Sequence, residues 1–257
     1  MTQEGHIEYF KIEIAGTKIE VECRFRIVLR VCRNYLAKFD KPDFVVRASL
    51  EELIASRLPN ADKINHFAGV AFRFADEYAE PYIIYHKIAE RMVDFNTFLM
   101  HGSVVAKDGY AYMFTASSGV GKTTRTRIWL DCFPGSIVVN GDKPLIKITS
   151  TQAIACGTPW CGKEGWNTNT MVPLRAIFLL ERAREGEESS IEEVSIGNAF
   201  PFLLKQTYRP EDPNLMKKTL SLLKSLEGKV KFYRFWSTPT AESVQLAYET
   251  SQVLYLV

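Results

Sequence analysis

The stretch Ala116-Ser117-Ser118-Gly119-Val120-Gly121-Lys122-Thr123-Thr124 holds the residues best suited to do chemistry in this chain. Its two glycines free the backbone to curl, so that successive N–H groups point at one anion. A helix opening at the end of the loop would add its positive terminus. In such a loop Ser117 to Thr124 cradle the phosphates of a nucleotide, Lys122 reaches the outer phosphates, and the Thr123 hydroxyl binds Mg²⁺. The pattern usually opens on glycine; here Ala116 stands in that place, and its Cβ is tolerated only at negative φ. The alternative is a glycine-rich turn that happens to contain Gly-Lys-Thr. The flanking sequence argues against it, with a strand expected over Tyr110–Thr115 before the loop and a helix from Thr124 to Leu130 after it.

A bound metal needs a second protein group, commonly an acid at the end of a neighbouring strand. Ser136 to Lys143 reads as an apolar strand ending in Asn140-Gly141-Asp142, and Asp142 fits that role. The same residues also read as a turn between strands Ile137–Val139 and Leu145–Ile148, and the two readings are compatible.

Around these segments the chain is ordinary for a globular protein. Its 257 residues are 46% hydrophobic and 24% charged, which excludes a disordered chain and leaves room for one large domain or two small ones. The formal net charge of +2 offers no basic footprint for nucleic acid. No run of about eighteen apolar residues exists to span a membrane. Glu4, His6 and Glu8 occupy the place of a signal peptide's apolar segment, so a cytoplasmic protein is expected. Five cysteines without a CxxC pair are read as reduced thiols.

Alternation over Phe10–Ile14, a turn at Gly16 and Lys18–Cys23 predict a hairpin, and Phe44–Arg47 a further strand. Ser49 and Glu52 have the form of a capping box. Ile84, Ile88, Met92, Phe95 and Leu99 predict a helix over Tyr82–Met100 with Pro81 in its first turn. Asp108-Gly109 marks a hairpin between strands Ser103–Lys107 and Tyr110–Thr115. Further on, Val172–Leu180 reads as a strand followed by a charged turn to Ser190. Helices are expected over Asn198–Tyr208 and Pro213–Leu226, then a strand Val230–Trp236 and a helix Thr240–Leu254. The chain divides softly into a small N-terminal α/β segment, 1–80, and a catalytic domain, 81–257. The expected fold is α/β, a mixed sheet with helices around it.

His101-Gly102 ahead of a strand, the loop Ser118–Thr123 and the strand ending at Asp142 together resemble the HPr kinase/phosphorylase catalytic domain. That domain belongs to the phosphoenolpyruvate carboxykinase-like class of phosphate-loop enzymes. The resemblance covers roughly residues 80–257. It implies a mixed-sheet phosphate-loop core, ATP and Mg²⁺ as cofactors, a histidine (His101) near the site, and a hydroxyl acceptor. The family carries an acidic pair where this chain has Gly141 and Asp142, so the proton acceptor is Asp142 or another base. A Gly-Thr-Pro-Trp stretch similar to that at Gly157–Trp160 also occurs in related proteins. It marks a substrate- or nucleotide-facing loop in which Lys163 could neutralise a transferring phosphoryl group and Glu164 could take the acceptor's proton. The bland alternative is a packed turn with both charges in solvent. The expected activity is transfer of the γ-phosphoryl group of ATP to a serine of a peptide or protein, or to a small hydroxylated metabolite. A non-catalytic ATP-binding regulatory module is the alternative. Neither nucleic acid nor a membrane is expected as a partner, and the oligomeric state is left open.

Overall fold

The computed structural model describes residues 7–57, 64–67, 70–73 and 76–252. The expectations resting on Glu4 and His6, and on the last residues of the closing helix, lie outside them. Strands β1 (Glu8–Ile14) and β2 (Thr17–Cys23) form the expected antiparallel hairpin. The turn needs left-handed backbone at both central positions, which Ala15 (φ 54°) and Gly16 (φ 71°) supply. Helix α1 (Arg26–Cys32) follows, and β3 (Phe44–Arg47) then joins β2 in parallel. Helix α2 (Leu50–Arg57) starts on the capping box: the Glu52 amide donates to Ser49 Oγ at 3.2 Å, and the Ser49 amide donates to Glu52 Oε2 at 2.7 Å. Strands β4 (Ile64–Phe67) and β5 (Val70–Arg73) pair with each other.

Helix α3 departs from the expected bounds, running over Asp76–Arg91 with Pro81 inside it. It gives way to a 3-10 turn, Met92–Phe95, and Asn96 ends that turn in left-handed backbone at φ 54°. The chain then enters β6 (Thr97–Leu99), so Leu99 belongs to a strand. The apolar spacing continues through the break because every residue of β6 is buried, which a helical count cannot distinguish from a helix face. Residues 80 and 81 both lie within α3. Its Ile84, Tyr85 and Ile88, with Met92 of the 3-10 turn, share one core with Ile12, Ile14 and Val21 of the N-terminal hairpin and with Leu145 and Trp160.

The remaining strands build a nine-stranded mixed sheet with β6 at one edge. After it come β7 (Ser103–Lys107), β8 (Tyr110–Thr115), helix α4 (Lys122–Cys132), β9 (Ile137–Asn140) and β10 (Leu145–Ile148). Next are β11 (Ala153–Cys156), the 12-residue β12 (Met171–Arg182), β13 (Ser190–Val194), helices α5 (Ile196–Gln206) and α6 (Pro213–Lys224), β14 (Lys231–Ser237) and α7 (Ala241–Gln252). The order is β6-β10-β11-β12-β8-β7-β9, with β14 beside the second half of β12 and β13 outside it. Strand β12 is parallel to β8 and to β14, so their carboxyl ends share one rim of the sheet. Period-two alternation sends Tyr112, Phe114 and Phe178 to the face covered by α4 and α7, and Met113, Ile177 and Leu179 to the face covered by α5 and α6. Among the described residues no helix is long and apolar enough to cross a membrane, and all five cysteines are free thiols.

Candidate functional site

The glycine-rich loop leaves the carboxyl end of β8 and enters α4. Gly119 (φ 81°) and Gly121 (φ 122°) hold backbone that L side chains rarely adopt, which is the physical demand behind both glycines. Ala116 is not among the described residues with positive φ, and its methyl is buried in the core beneath the sheet. Alanine is therefore compatible with the loop. Gly121 caps α4 without a side-chain hydrogen bond, which leaves amides of the first turn to meet another acceptor. Thr126 fixes the helix: its Oγ1 lies 3.1 Å from Lys122 O and 2.6 Å from Ser103 Oγ on β7.

Lys122 is 9% exposed and donates from Nζ to Ala116 O at 3.0 Å and Ser117 O at 3.5 Å. Burial pushes its ammonium below the ordinary lysine value, against the opposing charge of Asp142. Asp142 is positioned by a residue that the sequence reading passed over. Asn140, fully buried at the end of β9, accepts from the amides of Asp142 (2.9 Å) and Lys143 (2.7 Å) through Oδ1. Its Nδ2 donates to Thr158 Oγ1 (2.9 Å), Thr158 O (3.1 Å) and Trp160 O (3.3 Å). One side chain thus sets both the acidic turn and the Gly-Thr-Pro-Trp loop. The liking of asparagine for turns that bond its own downstream backbone was the signal available in sequence.

His101 stands between β6 and β7, its Nε2 3.1 Å from Asp142 Oδ1 and its Nδ1 3.0 Å from Gln206 Oε1 at the end of α5. The His101 amide donates to Gln206 O at 2.7 Å, and the Gly102 amide to Asp142 O at 2.9 Å. Gln206 sits 105 positions from His101, and nothing local in the sequence points to it. Burial would raise the Asp142 carboxyl, but the His101 hydrogen bond and the charges of Lys143, His101 and Lys122 hold it below the ordinary carboxylate range.

The loop after β11 closes the far wall. Gly157 is enforced by space, since a Cβ there would lie 1.8 Å from Thr168 O. A Cβ at Gly141 would meet Cys161 O at 3.2 Å and Trp166 at 3.4 Å, so this loop fills the place of a side chain at 141. The same loop carries Lys163, exposed, and Glu164, whose side chain is 13% exposed with Arg127 Nη2 4.0 Å away.

These pieces converge on a cleft of about 510 Å³. It is lined by His101, Ser118, Gly119, Gly121, Lys122, Thr123, Thr124, Asp142, Lys163 and Glu164, with Gly141 and Gly162. Of the sequence-predicted residues, Ser117 is exposed and lines no part of it, and Val120 faces a neighbouring cleft. Thr123 and Asp142 bring a hydroxyl and an ionised carboxylate to one cleft. That pair of hard oxygens suits Mg²⁺, which takes few protein ligands and completes its shell with water and phosphate oxygens. Among the described residues no cluster of three His, Cys, Asp or Glu side chains forms a metal cage.

No family model matches this sequence, and no curated protein does. Among solved structures, the chain is similar to the HPr(Ser) kinase/phosphatase from Coxiella burnetii, at 11% identity and a TM-score of 0.37, over 60% of this chain and 96% of that one. That is a distant structural relationship.

Proposed function

We propose that the chain is a kinase that transfers the γ-phosphoryl group of a nucleoside triphosphate, ATP by the family resemblance, to a hydroxyl acceptor. The observation that carries this reading is the single cleft where the glycine-rich loop, Lys122, Thr123, Asp142, His101 and Glu164 meet. The loop amides and Lys122 hold the phosphates, Lys122 exchanging the carbonyls of Ala116 and Ser117 for phosphate oxygens. Thr123 and Asp142 hold Mg²⁺, which neutralises charge on the phosphates when bound. The acceptor oxygen forms a bond to the γ-phosphorus as the bond to the β–γ bridging oxygen breaks, and the nucleoside diphosphate leaves. The acceptor's proton passes to a carboxylate, for which Asp142 and Glu164 both face the cleft. His101, held by Gln206, fixes the orientation of Asp142. Lys163 adds charge at the exposed mouth.

A regulatory module that binds nucleotide without turnover is the second reading, favoured by Gly141, where no acid stands and none fits without displacement. Thermal melting with Mg-ATP and with Mg-GTP, with phosphate release followed in the same samples, separates the two. Ligand at ~100 Kd stabilises the native state by about 2.7 kcal/mol. A kinase gives a melting shift that Lys122→Ala abolishes, together with slow phosphate release that a hydroxyl acceptor accelerates. A shift with the nucleotide left intact in the presence of hydroxylated peptides and metabolites supports the regulatory reading. No shift with either nucleotide overturns both.

A further inference from the structure

A second cleft, of about 390 Å³, opens on the other side of the glycine-rich loop. Gly119, Gly121 and Thr124 line both clefts, so the two meet around the loop. Its far wall comes from Arg182 and Ala183 at the carboxyl end of β12 and from Ser237, Thr238 and Pro239 at the end of β14 and just past it. The crevice beyond the carboxyl ends of parallel strands is where such sheets take ligands.

Arg125 also lines this cleft, and its condition is unusual. It is 4% exposed, and its Nε and Nη1 are buried without a hydrogen-bond partner. The guanidinium carbon lies 5.8 Å from the centre of the Phe235 ring. Buried donors without acceptors are costly, and those of a cation more so. Burial pushes the guanidinium down to about 10, which still leaves it charged at neutral pH. The second guanidinium at this cleft, on exposed Arg182, donates from Nη2 to Gly119 O at 2.6 Å. Arg125 therefore brings buried, unpartnered donors to this cleft, whereas the hydroxyls of Ser237 and Thr238 are hydrogen-bonded within the protein.

We propose that this cleft seats the base of the nucleotide whose phosphates the loop holds, with Arg125 donating to acceptors on that base. The inference rests on the phosphate-loop reading and extends it to the nucleoside. A guanidinium is donor only. A purine with an oxygen at C6 presents two neighbouring acceptors, O6 and N7, whereas adenine presents N7 beside an amino donor. The cleft accordingly prefers guanine and hypoxanthine nucleotides to adenine nucleotides.

The test is calorimetric titration of GDP, IDP, ADP and inorganic tripolyphosphate, with Mg²⁺, into the wild-type protein, Arg125→Met, Arg125→Lys and Lys122→Ala. GDP and IDP should bind roughly tenfold or more tightly than ADP, the scale of one well-placed guanidinium–purine pair. That preference should vanish in Arg125→Met and shrink in Arg125→Lys, which can still donate to O6 and N7 but lacks the planar fork. Tripolyphosphate should bind both Arg125 variants as it binds wild type and should fail to bind Lys122→Ala. Equal affinity of the wild type for the three diphosphates, or a preference that survives in Arg125→Met, overturns the base-seat proposal; tripolyphosphate binding that depends on Lys122 then shows the loop reading standing alone. If neither nucleotide nor tripolyphosphate binds the wild type, both readings fall. Melting curves of the variants check that they fold.

Discussion

Asn140 shows how much one side chain can organise. Its amide spends both ends inside the protein, one on the turn that aims Asp142 and the other on the loop that carries Trp160. Asn140→Ala should therefore cost about 2–4 kcal/mol in urea unfolding, because several buried backbone groups lose their partner at once. An exposed asparagine in a simple turn would change stability by less than about 0.5 kcal/mol. His86 on α3 makes a pH-dependent prediction. Tyr208 donates its hydroxyl proton to Glu90, so its oxygen accepts from His86 Nδ1, which leaves Nε2 deprotonated, buried and unpartnered. Burial, with the nearby Lys143 charge, lowers the ring's pKa to about 4. The folded state thus prefers the neutral ring; this contribution is complete above the unfolded value of about 6.5 and is lost as pH falls towards 4. His86→Phe should flatten the stability profile between those limits, and melting temperatures across that range would measure it. At this scale the sequence displayed Lys122, Thr123 and Asp142 because loop chemistry is local in the chain. It hid Arg125 and Gln206, whose meaning comes from partners, or their absence, in space.

Elements were legible where one period dominates. The two hairpins, the capping box, and the strands at 103–107, 110–115 and 145–148 fall where alternation and turn residues place them. Strand β11 was missed because Ala153, Ile154, Ala155 and Cys156 give no alternation. Strand β13 was missed because Glu192 and Glu193 are exposed side by side at a sheet edge and break the apolar alternation just past the expected charged turn. The α3–β6 break was missed because a fully buried strand continues a helical stripe. The loop between β11 and β12 supplies the sharpest test of an element. Gly157→Ala drives a methyl into the backbone oxygen of Thr168, which cannot move without shifting the loop that seats Glu164. Nucleotide turnover should fall by more than tenfold and the melting temperature should drop; Gly109→Ala, where the surroundings are open, should be limited to the strain of its positive φ.

At the scale of the molecule, the softest expectation concerned residue 80 as a boundary. Helix α3 runs through it, and the core around Ile12, Ile14 and Val21 continues into Ile84, Ile88 and Trp160. A fragment spanning 81–257 would begin inside that helix and expose the apolar face that covers the hairpin. It should lack a cooperative melting transition and bind a hydrophobic dye, whereas two independent units would each melt cooperatively. Tyr85, on the same helix, packs its ring 4.9 Å from that of Trp160 in the loop bordering the cleft. Trp160→Ala should accordingly cost about 3–5 kcal/mol.

The partner that β14 finds in β12 has a consequence for the order in which the chain leaves the ribosome. The glycine-rich loop is synthesised by residue 124, yet Gln206, which holds His101, and Ser237 at the rim of the second cleft come about 80 and 110 residues later. From the completion of β12 at Arg182 until β14 emerges, the second half of β12 has no neighbour on one side, and its Ile177-Phe178-Leu179-Leu180 run is an open template for other strands. At a synthesis rate of about 5–20 residues per second the exposure lasts several seconds. A nascent chain stalled after residue 206 should bind chaperones strongly, and one released beyond the closing helix should not.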